Sequence, residues 1–228
     1  MRDPYVYENT NVLINKLNIR DDEELDKVEG SIVSLNMLDL IKHPIQINSV
    51  FDVKKIHKKL FFDLYDWAGE NRKMNMSKQE AILDWLSVEY SDYNYIDRDL
   101  RLLNKTFSNT KWKELHKKET IDAIVLLISK LWRIHSFREG NTRTITLFLY
   151  LFLKQIGFKV NIDFIGKHAK YFRNALVMAS IDQYSEYEHL TRILMDSVST
   201  KSISGDKYQT IKEYEVEKYK YRKHEYKD

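Results

Sequence analysis

The reactive side chains of this sequence crowd into one stretch, Ile134-His135-Ser136-Phe137-Arg138-Glu139-Gly140-Asn141-Thr142-Arg143-Thr144. His135 is the only nearby group that titrates near neutrality. It is spaced to take a proton from a hydroxyl attacking a bound phosphate. Gly140 lets the backbone approach an anion closely or adopt a positive φ. Asn141 or Thr142 is suited to cap a following helix, whose free N–H groups and positive dipole end bind phosphate. Arg138 and Arg143 add charge, and Glu139 beside them could hold a hard divalent cation. Read from these residues alone, the stretch is a nucleotidyl- or phosphoryl-transfer site with one base, one metal carboxylate and one anion nest.

The flanking elements must hold that stretch in place. Ile121 to Leu131 and Ile145 to Ile156 are apolar on almost every face, as buried helices are. A polar loop between two core helices is costly unless its groups find partners. Upstream, Val53, Ile56, Leu60 and Leu64 repeat at helical spacing. Asp21-Asp22-Glu23-Glu24 opens a further helix, with acids in its first turn, predicted to run to about Leu38. Leu40 to His43 reads as a separate short element before Pro44. Gly157 ends the helix that follows the reactive stretch. Tyr171 to Ala179 and Tyr187 to Leu194 are amphipathic helical segments. His43, His57, His116, His168, His189 and His224 have no second ligand at metal spacing and are expected at the surface.

At His135, Phe137, Glu139, Gly140, Asn141 and Arg143 the stretch resembles the motif of the Fic (filamentation-induced-by-cAMP) family, His-x-Phe-x-(Asp/Glu)-Gly-Asn-Gly-Arg-x-x-Arg, in register and without gaps. The resemblance runs from about Pro4 to about Thr200. Trp67-Ala68-Gly69-Glu70-Asn71-Arg72 is similar to the family's Trp-Ala-Gly-x-x-Arg. It implies an all-α domain with one small β-hairpin, the flap, at Met74, Asn75, Met76 and Ser77. In the family this flap holds the target's backbone by strand addition.

The implied activity is protein adenylyl transfer, moving AMP from ATP to a Ser, Thr or Tyr hydroxyl of a target protein, with Mg²⁺ as cofactor. His135 would be the catalytic base and Glu139 the metal ligand. Arg138, Gly140, Asn141, Thr142 and Arg143 would bind phosphate, and Phe137 would point into the core. Tyr171 and Asn174 would line the adenine pocket. Alternatives at the same site are another nucleotide donor, transfer of phosphate itself, or non-catalytic binding of a nucleotide or partner.

The sequence departs from the family at two motif positions: Thr142 replaces the second glycine and Thr146 the second arginine. In the family that arginine helps bind the γ-phosphate and pairs with an inhibitory glutamate. The inhibitory pattern, Ser/Thr-x-x-x-Glu-Gly/Asn, is approached twice, at Leu25…Glu29-Gly30 and Ser31…Leu35, and met by neither. Glu29 is therefore expected on a solvent-facing helix surface, with no intact inhibitory element in the chain. A separate antitoxin-like inhibitor and a homo-oligomer stay open.

Composition bounds the rest. The 228 residues suffice for one sizeable domain, and 43% hydrophobic with 31% charged is ordinary for a globular protein. Six glycines and two prolines favour helices over tight turns, and the lack of cysteine excludes disulfides and thiolate metal sites. The start of the chain does not read as a signal peptide, and no apolar run is long enough to span a membrane. A net charge of +3 gives no reason to invoke nucleic acid. Location in the cytoplasm is expected, of the producing cell or of a host if the protein is secreted. The expected organisation is a lead-in over 1–20, a core over about 45–197 within a domain of 1–200, and a Tyr/Lys/Glu tail over 201–228.

Overall fold

A computed structural model describes residues 3–181 and 184–200. The expected tail lies outside the described residues. The chain is mainly helical. Helices α1 (Asp22–Lys42), α2 (Asp52–Phe61), α3 (Ile96–Asn109), α4 (Lys117–Ile134) and α5 (Asn141–Gln155) come first. Strand β1 (Phe158–Val160), helices α6 (Ile162–Lys167), α7 (Ala169–Met178) and α8 (Glu188–Ser197), and strand β2 (Val198–Thr200) follow. The two strands pair antiparallel, with Lys159 opposite Ser199.

Helices α4 and α5 form the centre, and their side chains from Ile121 to Leu153 fill the main core with α2, α3, α7 and α8 packed around them. The two nearly all-apolar stretches are thus the buried helices their composition requires. Asp21 caps α1, its carboxylate accepting the Glu24 N–H at 2.8 Å. Helix α1 continues to Lys42 instead of stopping near Leu38, so Leu40–His43 is its last turn and not a separate element. Leu40, 1% exposed, is held in that turn by burial.

Two clamps hold the segment leading into α2, one to α5 and one to α3. Gln155 at the end of α5 exchanges hydrogen bonds with the Ile47 backbone, at 2.7 and 2.9 Å. The Asn104 amide oxygen of α3 accepts the Val50 N–H at 3.0 Å. Gly157, at φ 107°, ends α5 in the left-handed conformation, as anticipated from its position.

The segment after Trp67-Ala68-Gly69 corrects one expectation. Among the described residues, 73–78 form no strand ladder, and the pairing seen in this loop is a single antiparallel bridge between Gln79 and Ser87. The physical reason is that its backbone is held from the side by side chains, Arg72 donating to Met74 O and the Tyr5 hydroxyl accepting the Lys73 N–H, and not by a partner strand. The regular two-stranded sheet lies elsewhere, at β1–β2.

Candidate active site

His135 ends α4 as its C-cap, in the left-handed region at φ 50° and ψ 59°. That turn projects the ring into a cavity of about 520 Å³ bounded by Met74–Lys78, Tyr90, Trp132, Arg138–Arg143, Arg173 and Asp3. Its Nδ1 lies 3.3 Å from the Trp132 carbonyl oxygen. A carbonyl only accepts, so Nδ1 carries the proton and Nε2 is left as a lone pair. Burial lowers the pKa to about 3, against the weaker opposing pull of that carbonyl. The imidazole is therefore neutral at physiological pH and able to accept a proton.

The loop beyond it is folded by its own side chains. Phe137 is 2% exposed and stacks on His57, with centroids 3.9 Å apart. Asn141 spends its amide on the loop: Oδ1 accepts the Phe137 N–H at 3.0 Å, and Nδ2 donates to the Phe137 carbonyl at 2.7 Å. It is thus a loop staple, and only its backbone N–H is left for an anion. Nor is it the cap. The N-cap of α5 is Gly140, at φ 77°, and Asn141 is the first helical residue. A Cβ on Gly140 would lie 2.2 Å from Phe61 Cζ, so both the conformation and the close approach exclude a side chain there.

The first intrahelical bond of α5 is Thr144 N–H to Gly140 O, 3.0 Å. The amides of Asn141, Thr142 and Arg143 precede it and have no carbonyl of their own helix to bond. Such free amides at the positive end of a helix dipole are the donors an anion nest would use. Thr142 keeps the nest in shape by accepting the Trp132 indole N–H at 3.0 Å, so it occupies the glycine position of the motif without closing it.

The two arginines are engaged by acids that sequence reasoning did not connect to them. Arg138 donates to Asp3 through Nε at 3.0 Å and a terminal nitrogen at 2.7 Å. Arg143 pairs with Glu29 of α1, and lies 3.4 Å from Glu139. Glu29 also accepts the Tyr65 hydroxyl. The expectation that Glu29 faces solvent is wrong, because its side chain is only 8% exposed. It follows Leu25 and precedes Val33 at four-residue spacing on the buried face of α1. Although Thr146 replaces the motif arginine, Glu29 still finds a guanidinium, that of Arg143. Thr146 instead bonds back to the Thr142 carbonyl at 2.8 Å.

Glu139 is half-exposed toward the cavity, and its Oε1 accepts the Gly140 N–H at 2.8 Å. Oε2 has no protein donor among the described residues. No group of three or more His, Cys, Asp or Glu side chains able to hold a metal exists among the described residues. One carboxylate facing an anion nest fits a Mg²⁺ ion that arrives with a nucleotide and is held mainly by its phosphates.

His57 is the largest departure from expectation. It is fully buried, not at the surface. Nδ1 accepts the Gly69 N–H at 2.8 Å, and Nε2–H donates to the Glu139 carbonyl at 3.0 Å. It thus joins the Trp-Ala-Gly turn to the loop, sandwiched between Phe61 and Phe137. Burial lowers its pKa to about 3. A signal was present: Val53, Ile56, His57, Leu60 and Phe61 share one apolar stripe, and a histidine within it belongs to the core. His189 is also not free at the surface; it sits half-buried against the Tyr171 hydroxyl at 3.2 Å.

Arg72 is 2% exposed and holds the end of α4 to the loop over 73–91. Nε donates to the His135 carbonyl at 2.7 Å, one terminal nitrogen to Met74 O at 2.7 Å, and the other to Ser91 O. Arg173 of α7 makes a two-pronged ion pair with buried Glu80, at 2.8 Å for each contact. Met74, Asn75, Met76 and Ser77 thereby form one wall of the cavity, where the flap was expected to stand, although without its ladder. Tyr171 and Asn174, expected at the adenine, do not line this cavity.

This mainly helical fold, with His135 and the nest at the junction of its two central helices, is that of the Fic proteins. It superposes on the N-terminal Fic domain of a cell filamentation protein from Bartonella quintana (TM-score 0.72, 21% identity, 86% of this chain and 92% of that one). It likewise superposes on the AMPPNP-bound BepC protein of Bartonella tribocorum (TM-score 0.69, 21% identity, 86% and 96%). Residues 48–153 match the Fic/DOC family model.

Named relatives agree with that placement. The protein adenylyltransferase VbhT of Bartonella schoenbuchensis is 28% identical over 186 residues, 80% of this chain. The chain spans about a third of that relative's length, 36%. The probable protein adenylyltransferase y4lH of Sinorhizobium fredii is 28% identical over 166 residues, 71% of this chain and 80% of its own.

Proposed function

We propose that this protein is an adenylyltransferase that moves AMP from ATP to a hydroxyl side chain of a target protein. The observation that carries the reading is the placement of His135, with Nδ1 on the Trp132 carbonyl and Nε2 left free, in the same cavity as the first-turn amides of α5. The target oxygen forms a bond to the α-phosphorus, and the bond from that phosphorus to the bridging β-phosphate oxygen breaks. The hydroxyl proton passes to His135 Nε2, and pyrophosphate leaves. The amides of Asn141, Thr142 and Arg143 stabilise the charge that spreads over the phosphate oxygens. Arg143 adds to this once it is released from Glu29. Mg²⁺ held at Glu139 would neutralise phosphate charge. Positioning and electrostatics supply most of the acceleration expected of such a site.

Residues 74–77 are suited to receive the target's backbone through the N–H and C=O groups that remain once Met74 O is taken by Arg72. Glu29 supplies from within the chain the carboxylate that the inhibitory pattern would require, so a separate antitoxin is not needed to cover Arg143. No helix among the described residues is long and apolar enough to cross a membrane. Action in a cytoplasm remains part of the proposal.

A second reading concerns the donor. Arg143 is the only motif arginine, so one contact to a γ-phosphate is missing, and a different nucleotide is the alternative. Incubation with Mg²⁺ and ATP followed by intact-mass measurement tests both. A gain of one AMP that is lost in His135→Ala establishes the reaction and the donor. A His135-dependent gain only with GTP, CTP or UTP replaces the donor, and no gain with any nucleotide sinks the reading.

A further inference from the structure

Tyr90 covers one face of the His135 ring. The two rings are nearly parallel, 13° apart, with centroids separated by 3.8 Å. Trp132 meets the imidazole edge-on at 5.3 Å and 87°. The backbone on both sides of Tyr90 is fastened to the end of α4, which also carries His135. Glu89 O accepts Arg133 Nε–H at 3.1 Å, Ser91 N–H reaches Arg133 O at 3.4 Å, and Ser91 O accepts from Arg72. Tyr90 is thus fixed in the same frame as the base.

The imidazole needs such a support. Rotation about the bond joining a histidine ring to its Cβ is broad and weakly restrained. Its one ring hydrogen bond among the described residues, Nδ1–H to Trp132 O at 3.3 Å, lies at the long end of the useful range. A flat ring at van der Waals distance blocks the rotation that this bond leaves free. It also keeps water from that face of the base.

We propose that Tyr90 is a positioning residue for the base, its ring holding the His135 imidazole in the plane that directs Nε2 into the cavity. The inference rests on the reading of His135 as base. The part that acts is the ring and not the hydroxyl, which is buried without a partner among the described residues. Charged groups facing this pair are Arg72, Lys78 and Arg173 toward His135, and Glu80, Glu139, Arg72 and Arg173 toward Tyr90. They are unchanged by the substitutions below.

The test combines imidazole NMR with self-modification kinetics on the full chain. In the parent protein the carbon-bound ring protons of His135 are expected upfield, shifted by the Tyr90 ring current, with Nδ1 protonated. In Tyr90→Leu the ring-current shift disappears, and the titration moves up from about 3 toward the ordinary 6.5 as the ring gains water. The acid limb of the kcat profile moves with it. A misplaced catalytic group costs about a hundredfold, so kcat in Tyr90→Leu falls about tenfold to a hundredfold while KM for ATP holds. Tyr90→Phe, which keeps the face, restores most of the rate.

Parent-like shift, titration and kcat in Tyr90→Leu overturn the inference, as does a Tyr90→Phe variant no better than Tyr90→Leu. If Tyr90→Leu fails to fold, the parent spectrum still decides, because absence of the upfield shift removes the stack. Loss of the underlying reading looks different: His135→Ala would then modify itself at the parent rate, whatever the spectra show.

Discussion

Glu29 and Arg143 stand 114 positions apart in the chain and form an ion pair at the rim of the anion nest. The carboxylate holds the guanidinium that, on the proposed function, a nucleotide phosphate would take, so on that reading the two compete for one cation. Replacing Glu29 with Gln keeps an acceptor for Tyr65 and removes the charge. A charge-assisted contact contributes about 1.5–3 kcal/mol, so KM for the nucleotide is expected to fall about tenfold. Titration calorimetry or single-turnover kinetics measures this, and unchanged affinity would show that the pair does not oppose binding.

Acid should destabilise the fold through two histidines. His57 and His135 both have folded pKa values lowered from 6.5 to about 3, mainly by burial. Below pH 6.5 the unfolded chain takes up protons that the folded chain refuses. Stability is therefore full above about 6.5 and is lost as pH falls toward 3, by up to about 1.4 kcal/mol per pH unit for each group. Urea unfolding at about pH 7.5 and about pH 5.5 measures the slope. His57→Gln should remove one proton's share of it. A flat profile in the parent would contradict the assignment.

Gly140→Ala tests the loop geometry. A left-handed backbone costs a residue with a side chain about 1–2 kcal/mol, and overpacking against Phe61 adds about 1–3 kcal/mol. A loss of about 2–5 kcal/mol in thermal or urea unfolding is expected, with the nest lost even where the protein still folds. An alanine variant as stable as the parent would mean that Phe61 can move aside.

The Arg173–Glu80 pair anchors the loop that walls the cavity. Glu80 has a side chain only 4% exposed, whereas Arg173 is 30% exposed. Arg173→Ala strands the buried carboxylate. Breaking a buried pair costs about 3–5 kcal/mol, less here because one partner meets solvent. Amide exchange in 79–87 should quicken while the core of α4 keeps its protection. Equal exchange in parent and variant would place the anchor elsewhere.

Much of this was legible beforehand because it follows from local rules. The apolar stretches on each side of His135 could only be buried helices, and Gly140-Asn141 could only open one of them. Phe137 pointed inward as its type requires. What stayed hidden depends on pairings across the chain. Asp3 reaches Arg138 over 135 positions, and Arg173 reaches Glu80 over 93. No periodicity encodes such distances. Glu29 and His57 were misread for another reason: each sits in an apolar stripe, at positions where charge or polarity suggests the surface. Their partners, Arg143 and Tyr65 for one and the Gly69 and Glu139 backbones for the other, make their burial tolerable. The loop at 73–78 was misjudged because side-chain clamps took the place of a ladder.

The hydrogen bond from the Trp132 indole to Thr142 has an optical consequence. An indole's emission responds to the polarity of whatever its N–H touches and to the charges near the ring. Trp132 touches the first turn of α5 at one end and the edge of His135 at the other. The fold has therefore installed a fluorophore between His135 and the first turn of α5, and the colour of its emission is tied to the electrical state of both.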